Sequence, residues 1–328
     1  MTERALRLGT RRSKLAMAQS GHVADAVRQL TGRPVELVEI TTYGDTSREH
    51  LAQIGGTGVF VAALRDALLA GEVDFAVHSL KDLPTAQHPE LVLAAIPRRE
   101  DPRDVLIAGG GLSLDRLPAG ARVGTGSPRR MAQLHAYARS HGLDLTCVPI
   151  RGNVDTRVGY VRKGELDAVV LAAAGLNRIG GTKELLGGLS AEHLPVDSVL
   201  PAPGQGALAV ECPASNTDLV AALSALDDPR TRAAVTAERS LLAALEAGCS
   251  APVGALADIL ADGPGHGQVV TEMRLRGVVG TTDGSTLVQL STTGPVPTSH
   301  DEAAALGREL ASEMLAKGAA GLMGERAL

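Results

Sequence analysis

Five stretches of this 328-residue chain gather residue types that could do chemistry. In Ala76-Val77-His78-Ser79-Leu80-Lys81-Asp82-Leu83-Pro84 an apolar run delivers Ser79, Lys81 and Asp82, and Pro84 stops regular structure just beyond. The Asp82 carboxylate stands beside Lys81 in the sequence. It could accept N–H bonds, stabilise a cation or relay a proton, although a structural salt bridge needs the same residues. His78, inside the apolar run, reads as a core histidine. In Gly124-Thr125-Gly126-Ser127-Pro128-Arg129-Arg130, Ser127 can cap a helix and Pro128 suits its first turn. The free N–H groups and two arginines there suit an anion, while plain capping with solvated arginines is the other reading. Gly9-Thr10-Arg11-Arg12-Ser13 offers the same arrangement earlier in the chain. Arg151-Gly152-Asn153-Val154-Asp155-Thr156-Arg157 follows an apolar run, where it is either a surface turn or a pair of arginines at a strand end. Last, Gly248-Cys249-Ser250 sets a thiol in a loop, as a nucleophile, an attachment point or a free cysteine.

These stretches need elements to hold them. Hydrophobic periodicity predicts strands over 5–9, 35–41, 73–78 and 91–96, with helices over 13–30 and 59–69. After the charged run 97–102 the cycle restarts, with strands over 122–124, 143–150 and 167–171 and a helix over 129–138. Alternation of this kind predicts parallel sheet with helices on its faces. The restart also repeats words. Arg7-Leu8-Gly9-Thr10 matches Arg122-Val123-Gly124-Thr125, Met17-Ala18-Gln19 matches Met131-Ala132-Gln133, and Gly71-Glu72-Val73-Asp74 matches Gly164-Glu165-Leu166-Asp167. Short words recur by chance, but three in order predict two similar α/β lobes with a cleft between them. Beyond an apolar stretch at 207–210 come a helix over 230–246, stopped at Gly248, and strands over 256–261, 271–279 and 286–291. Turn signals at Asp262-Gly263 and Asp283-Gly284 and a helix over 301–317 complete a small C-terminal α+β domain. The expected boundaries are lobe 1 over 1–98, completed by 201–222, lobe 2 over 103–200, and the third domain over 228–328.

Composition narrows the partners. Hydrophobic residues make up 44% and charged residues 21%, which suits packed cores and not disorder. The large rings are Tyr43, Phe60, Phe75, Tyr137 and Tyr160, too few for the stacking platforms of a single-strand binder, and the net charge is −5. No nucleic-acid partner is expected. No apolar run approaches the ~18 residues of a membrane span, and the first residues lack a signal-peptide core, so a cytoplasmic protein without a membrane partner is expected. Cys147, Cys212 and Cys249 are odd in number and lack a CxxC, which excludes a disulfide framework and offers no metal pattern. Of the 32 basic residues only Lys14, Lys81, Lys163, Lys183 and Lys317 are lysine. Either genome base composition or a demand for carboxylate-gripping forks produces that bias.

Taken in chain order, together with Glu100-Asp101-Pro102-Arg103-Asp104 and Pro203-Gly204-Gln205-Gly206, the five stretches resemble the hydroxymethylbilane synthase (porphobilinogen deaminase) family. The resemblance runs from residue 4 to near the C-terminus. It implies two lobes like those of periplasmic binding proteins, plus the α+β domain bearing the cysteine loop, in a monomer. Family members condense four porphobilinogen molecules head to tail, release ammonia at each step, and hydrolyse off linear hydroxymethylbilane. The resemblance implies a dipyrromethane cofactor joined by thioether to Cys249, with Asp82 as the catalytic carboxylate. Lys81, Asp82, Thr125, Ser127, Arg129 and Arg130 would hold the cofactor, and Arg11, Ser13, Arg151 and Arg157 the carboxylates of substrate and growing chain. Gln53 and Thr57 stand where many members carry lysines, so lysine chemistry there does not carry over. Pro128 and Asp155 also depart from commoner choices. The rivals are a non-catalytic two-lobed carboxylate-binding protein and a cysteine hydrolase, the latter lacking a recognisable base.

Overall fold

The computed structural model describes residues 4–41, 58–180, 182–246, 251–261 and 270–323. Gln53, Thr57, Gly248, Cys249 and the Asp262-Gly263 turn signal lie outside the described residues. In chain order the elements begin β1 (Leu6–Thr10), α1 (Lys14–Thr31), β2 (Val35–Glu39), α2 (Gly58–Leu69), β3 (Phe75–Ser79) and β4 (Leu91–Ala95). They continue β5 (Asp104–Ala108), β6 (Ala121–Gly124), α3 (Pro128–His141), β7 (Leu145–Val148), α4 (Val154–Arg162), β8 (Ala168–Ala172), α5 (Ala173–Arg178), α6 (Thr182–Leu186) and β9 (Ser190–His193). The last are β10 (Leu208–Pro213), α7 (Thr217–Ser224), α8 (Pro229–Ala244), β11 (Val253–Ala261), β12 (Val270–Gly280), β13 (Leu287–Pro295) and α9 (His300–Ala316).

The chain forms two compact units, Met1–Glu100 with Gly206–Arg232, and Asp101–Gln205 with Ala233–Leu328. The first holds a five-stranded sheet of order β2-β1-β3-β10-β4. Leu6, Leu8, Phe75 and Val210 bury one of its faces against Val23 and Val27 of α1. The second unit holds a sheet of order β7-β6-β8-β5-β9. It also holds an antiparallel sheet β11-β12-β13, whose Met273 and Leu275 share a core with Leu241 of α8 and with Leu310 and Met314 of α9. That last part is the α+β arrangement expected for the C-terminal region.

The five-stranded sheets are mixed, which corrects the expectation of parallel sheet. β1 runs parallel to β2 and β3, and β6 parallel to β7 and β8, but β10 is antiparallel to β3 and β4, and β5 to β8 and β9. β5 and β10 are the first strands after the chain passes from one unit to the other. Lacking a helical crossover, they are not bound to run parallel. A second correction concerns α8, which ends at Ala244, before Gly248, and the chain turns left-handed at Glu246 with φ 54°.

Two of the three repeated words make matching contacts in both units, whereas Gln19 of the third bonds Ser79 and its counterpart Gln133 bonds Leu200. The Arg7 N–H donates to Asp74 Oδ2 at 2.7 Å and the Asp74 N–H to Arg7 O at 2.8 Å. The Arg122 N–H donates to Asp167 Oδ2 at 2.7 Å and the Asp167 N–H to Arg122 O at 3.0 Å. Gly9 and Gly124 admit the side chains of Val73 and Leu166 against bare backbone. A Cβ at Gly124 would stand 2.6 Å from Leu166 Cδ1 and 2.9 Å from Ile150 Cδ1, whereas at Gly9 the nearest atom, on Val73, lies at 3.1 Å. Gly124→Ala is therefore expected to lose about 1–3 kcal/mol by overpacking, and Gly9→Ala less. Denaturant midpoints of the two variants check that order.

Candidate functional site

In the first unit the candidate residues Lys81 and Asp82 follow the end of β3. Leu80 and Leu83 are buried at 0% and 1% exposure and bracket a single 3-10 turn, Leu80–Asp82, closed by the Leu83 N–H on Leu80 O at 3.2 Å. The Leu80 N–H donates to Ala207 O at 3.0 Å, tying the turn to the chain entering β10. With both leucines anchored, Lys81 and Asp82 are left half-buried between them. The Asp82 carboxylate takes no hydrogen bond or ion pair among the described residues. Beneath the turn, Ser79 bonds buried Gln19 at 3.1 Å. His78 is a core residue, as expected, and its Nε2 stands 3.2 Å from the buried Glu211 carboxylate. Arg65 of α2 grips the same carboxylate with Nη2 at 2.8 Å. Burial pushes the Glu211 carboxyl up, but His78 and Arg65 outweigh it and hold the group below its ordinary range.

Ser13 caps α1, accepting the Ala16 N–H at 3.2 Å, with Arg11 half-buried before it. Arg12 is exposed and pairs with Glu39 at 3.2 Å.

The matching helix start in the second unit is built differently. Ser127 caps α3 through the Arg130 N–H, Pro128 occupies the first turn, and buried Thr125 accepts the Ser127 N–H at 3.2 Å. Arg129 and Arg130 are not solvated, having 3% and 5% exposure. Arg129 Nη1 donates to Leu200 O at 2.6 Å and stands 2.8 Å from Asp104 Oδ2, an ion-pair contact. Arg130 donates from Nη1 to Val170 O at 2.9 Å and from Nη2 to Asp104 Oδ1 at 2.8 Å. Gln205 Nε2 donates to the same Oδ1 at 2.8 Å and to Pro102 O at 2.8 Å. Burial pushes the Asp104 carboxyl up, yet the two guanidiniums override it and hold it far below the carboxylate range. Burial likewise lowers the Arg129 guanidinium from its ordinary value.

Arg151 is half-buried, and Arg157 lies in α4, which begins at Val154 where a surface turn was one reading. The Arg157 Nε donates back to Gly152 O at 2.8 Å. The structure thus groups Thr125, Ser127, Arg129 and Arg130 on one helix start, and Lys81 with Asp82 on one turn. Among the described residues no group of three His, Cys, Asp or Glu could hold a metal ion, and no helix is long and apolar enough to cross a membrane.

Sequence reasoning named Asp104 and Gln205 only as parts of longer motifs and gave neither a role, and it passed over Glu211. The one available signal was a charge opening the apolar run Asp104–Ala108, which burial makes costly unless it is paired.

Two family models cover this chain. The porphobilinogen deaminase dipyromethane cofactor binding domain matches residues 6–221, and the porphobilinogen deaminase C-terminal domain matches residues 232–316. The chain belongs to the porphobilinogen deaminase family. Porphobilinogen deaminase 1 of Streptomyces coelicolor is 80% identical over 327 residues, covering 100% of both chains. The porphobilinogen deaminases of Thermobifida fusca and Mycobacterium tuberculosis are 55% and 51% identical, covering 97% of this chain and 96% and 98% of theirs. A solved structure that also matches is the second substrate binding domain of a putative amino acid ABC transporter from Streptococcus pneumoniae. It is 14% identical with a TM-score of 0.43, covering 68% of this chain and 91% of that one. In the porphobilinogen deaminase family the first model is a cofactor-binding domain, and it spans the Lys81-Asp82 turn and the α3 start. Two guanidiniums against one carboxylate leave a positive charge there, and Arg130 Nε is buried without a hydrogen-bond partner. That donor set fits a group bearing carboxylates.

Proposed function

We propose that this chain condenses four porphobilinogen molecules head to tail, releasing ammonia at each step, and hydrolyses off linear hydroxymethylbilane for tetrapyrrole biosynthesis. In a porphobilinogen deaminase family member, the observation that carries this reading is the Lys81-Asp82 turn, whose half-buried carboxylate takes no hydrogen bond or ion pair among the described residues. A binding protein could use such a carboxylate to hold a ligand's N–H groups, and it is membership of the porphobilinogen deaminase family that favours catalysis over binding alone.

Asp82 is assigned the pyrrole N–H groups and the cation left when ammonia departs. A fixed carboxylate stabilises that charge and holds or moves the proton at its Oδ atoms. Lys81 orients Asp82 and pairs with a carboxylate. When bound, dipyrromethane supplies the primer on which units are joined. Cys249 is assigned its thioether, and Lys81, Asp82, Thr125, Ser127, Arg129 and Arg130 its polar contacts. Arg11, Ser13, Arg151 and Arg157 are assigned the acetate and propionate groups of substrate and growing chain, where bidentate guanidinium bonds are strongest. The protein acts as a cytoplasmic monomer without nucleic-acid or membrane partners, a reading supported by its net charge of −5.

Intact-protein mass spectrometry tests the whole reading. The purified protein is expected to consume porphobilinogen with release of ammonia and to carry a mass excess equal to two linked pyrrole units, located on the Cys249 peptide. An active protein of unmodified mass would overturn it.

A further inference from the structure

Asp104 opens β5 with no solvent exposure, and the two charges acting on it are Arg129 and Arg130. Two guanidiniums and one carboxylate, all nine-tenths buried or more, form a cluster with one positive charge in excess. A cluster serving packing alone gains nothing from that surplus, because an uncompensated buried charge is costly. Nor does packing account for Arg130 Nε, which is buried at the start of α3 without a hydrogen-bond partner. Terminal nitrogens of both guanidiniums are engaged. Each arginine gives one N–H to a main-chain carbonyl, Leu200 O or Val170 O, and turns toward Asp104. Gln205 locks the carboxylate from its other partners, donating to Oδ1 while its own Oε1 accepts from Arg129 Nη2 at 3.4 Å.

We propose that Asp104, held by Gln205, is a positioning residue that aligns the Arg129 and Arg130 forks and trims their combined charge to one, fitting the pair to a single ligand carboxylate. The proposal rests on the assignment of these arginines to the carboxylate side chains of the dipyrromethane. Asp104 itself touches no ligand in this role. A neutral side chain at 104 frees two like-charged forks to move apart, so the ligand carboxylate meets neither in register.

The test is the rise in unfolding temperature that loading confers. It compares holoenzyme with protein made in a host that forms no porphobilinogen, each state verified by intact mass. In Asp104→Asn this rise is expected to shrink to about half or less, because the forks no longer hold a ligand carboxylate. A residue with a purely structural role lowers both forms equally and leaves the rise unchanged, and that result overturns the proposal. If Asp104→Asn does not fold, Asp104→Glu carries the test. It keeps the charge but displaces it by one methylene, so the same shrinkage is expected and a full rise overturns the proposal. Arg130→Lys separates the two layers. A full rise in Arg130→Lys refutes the arginine assignment itself, whereas a reduced rise there beside a full rise in Asp104→Asn refutes only the positioning role.

Discussion

Asp82→Asn is expected to fold, to carry its cofactor, and to turn over porphobilinogen about 10²–10⁴ times more slowly than the parent, the range attached to a positioned proton-transfer group. The structure supplies the reason that folding survives. Leu80 and Leu83 set the turn through burial and the Leu83–Leu80 hydrogen bond, while the Asp82 carboxylate takes no hydrogen bond or ion pair among the described residues. Surface-type changes of that kind stay within about 0.5 kcal/mol. The amide keeps the shape and one acceptor, so a pyrrole N–H can still be met. It lacks the negative charge needed beside a cation and cannot take up the proton. The expected pattern is therefore a large fall in kcat with a small change in KM. Steady-state porphobilinogen consumption and intact mass measure both halves of the claim. A variant that keeps most of its kcat refutes the role of Asp82.

Much of this arrangement was legible in the sequence, because period and capping are local. The alternation of apolar strands with helices, the Ser13 and Ser127 caps and the C-terminal α+β region all follow from neighbouring residues. The repeated words were legible too, and their contacts explain why they persist as words. Glycine must stand where Val73 and Leu166 approach, and Asp74 and Asp167 must stand where a strand's N–H needs an acceptor. Strand direction was not legible. β5 and β10 read as ordinary apolar strands, and only their pairing shows that they run against their neighbours. The partners of the arginines were hidden for the same reason. Asp104 lies 25 and 26 positions before Arg129 and Arg130, and Gln205 lies 76 and 75 positions after them, so no spacing rule joins them. Reading Arg129 and Arg130 as solvated failed because a helix start looks the same in sequence whether it faces water or a buried aspartate. Glu211 was missed in like manner, since β10 reads as apolar and its carboxylate finds Arg65 and His78 only across the sheet.

Cys249→Ser is expected to abolish the mass excess and, with it, porphobilinogen consumption. The two other thiols narrow the assignment. Burial pushes the Cys147 thiol up to about 12. Burial, with Glu211 adding to it, pushes Cys212 up to about 11. At neutral pH both therefore stay protonated, and a thiol without its thiolate is neither a good nucleophile nor a ready attachment point. Cys249 comes three residues after Glu246, where the chain turns left-handed, in the small-residue stretch Ala247-Gly248-Cys249-Ser250-Ala251, and an ordinary cysteine is a few per cent thiolate at about pH 7. Serine at that position is ionised many orders of magnitude less, so no comparable bond forms, and a chain without its primer has nothing to extend. Cys147→Ser and Cys212→Ser supply the contrast. Each removes a protonated thiol, so each keeps the full mass excess and activity to the extent that it folds. A Cys249→Ser protein that still carries two linked pyrrole units would move the attachment to one of these suppressed thiols, against the electrostatics that hold them neutral.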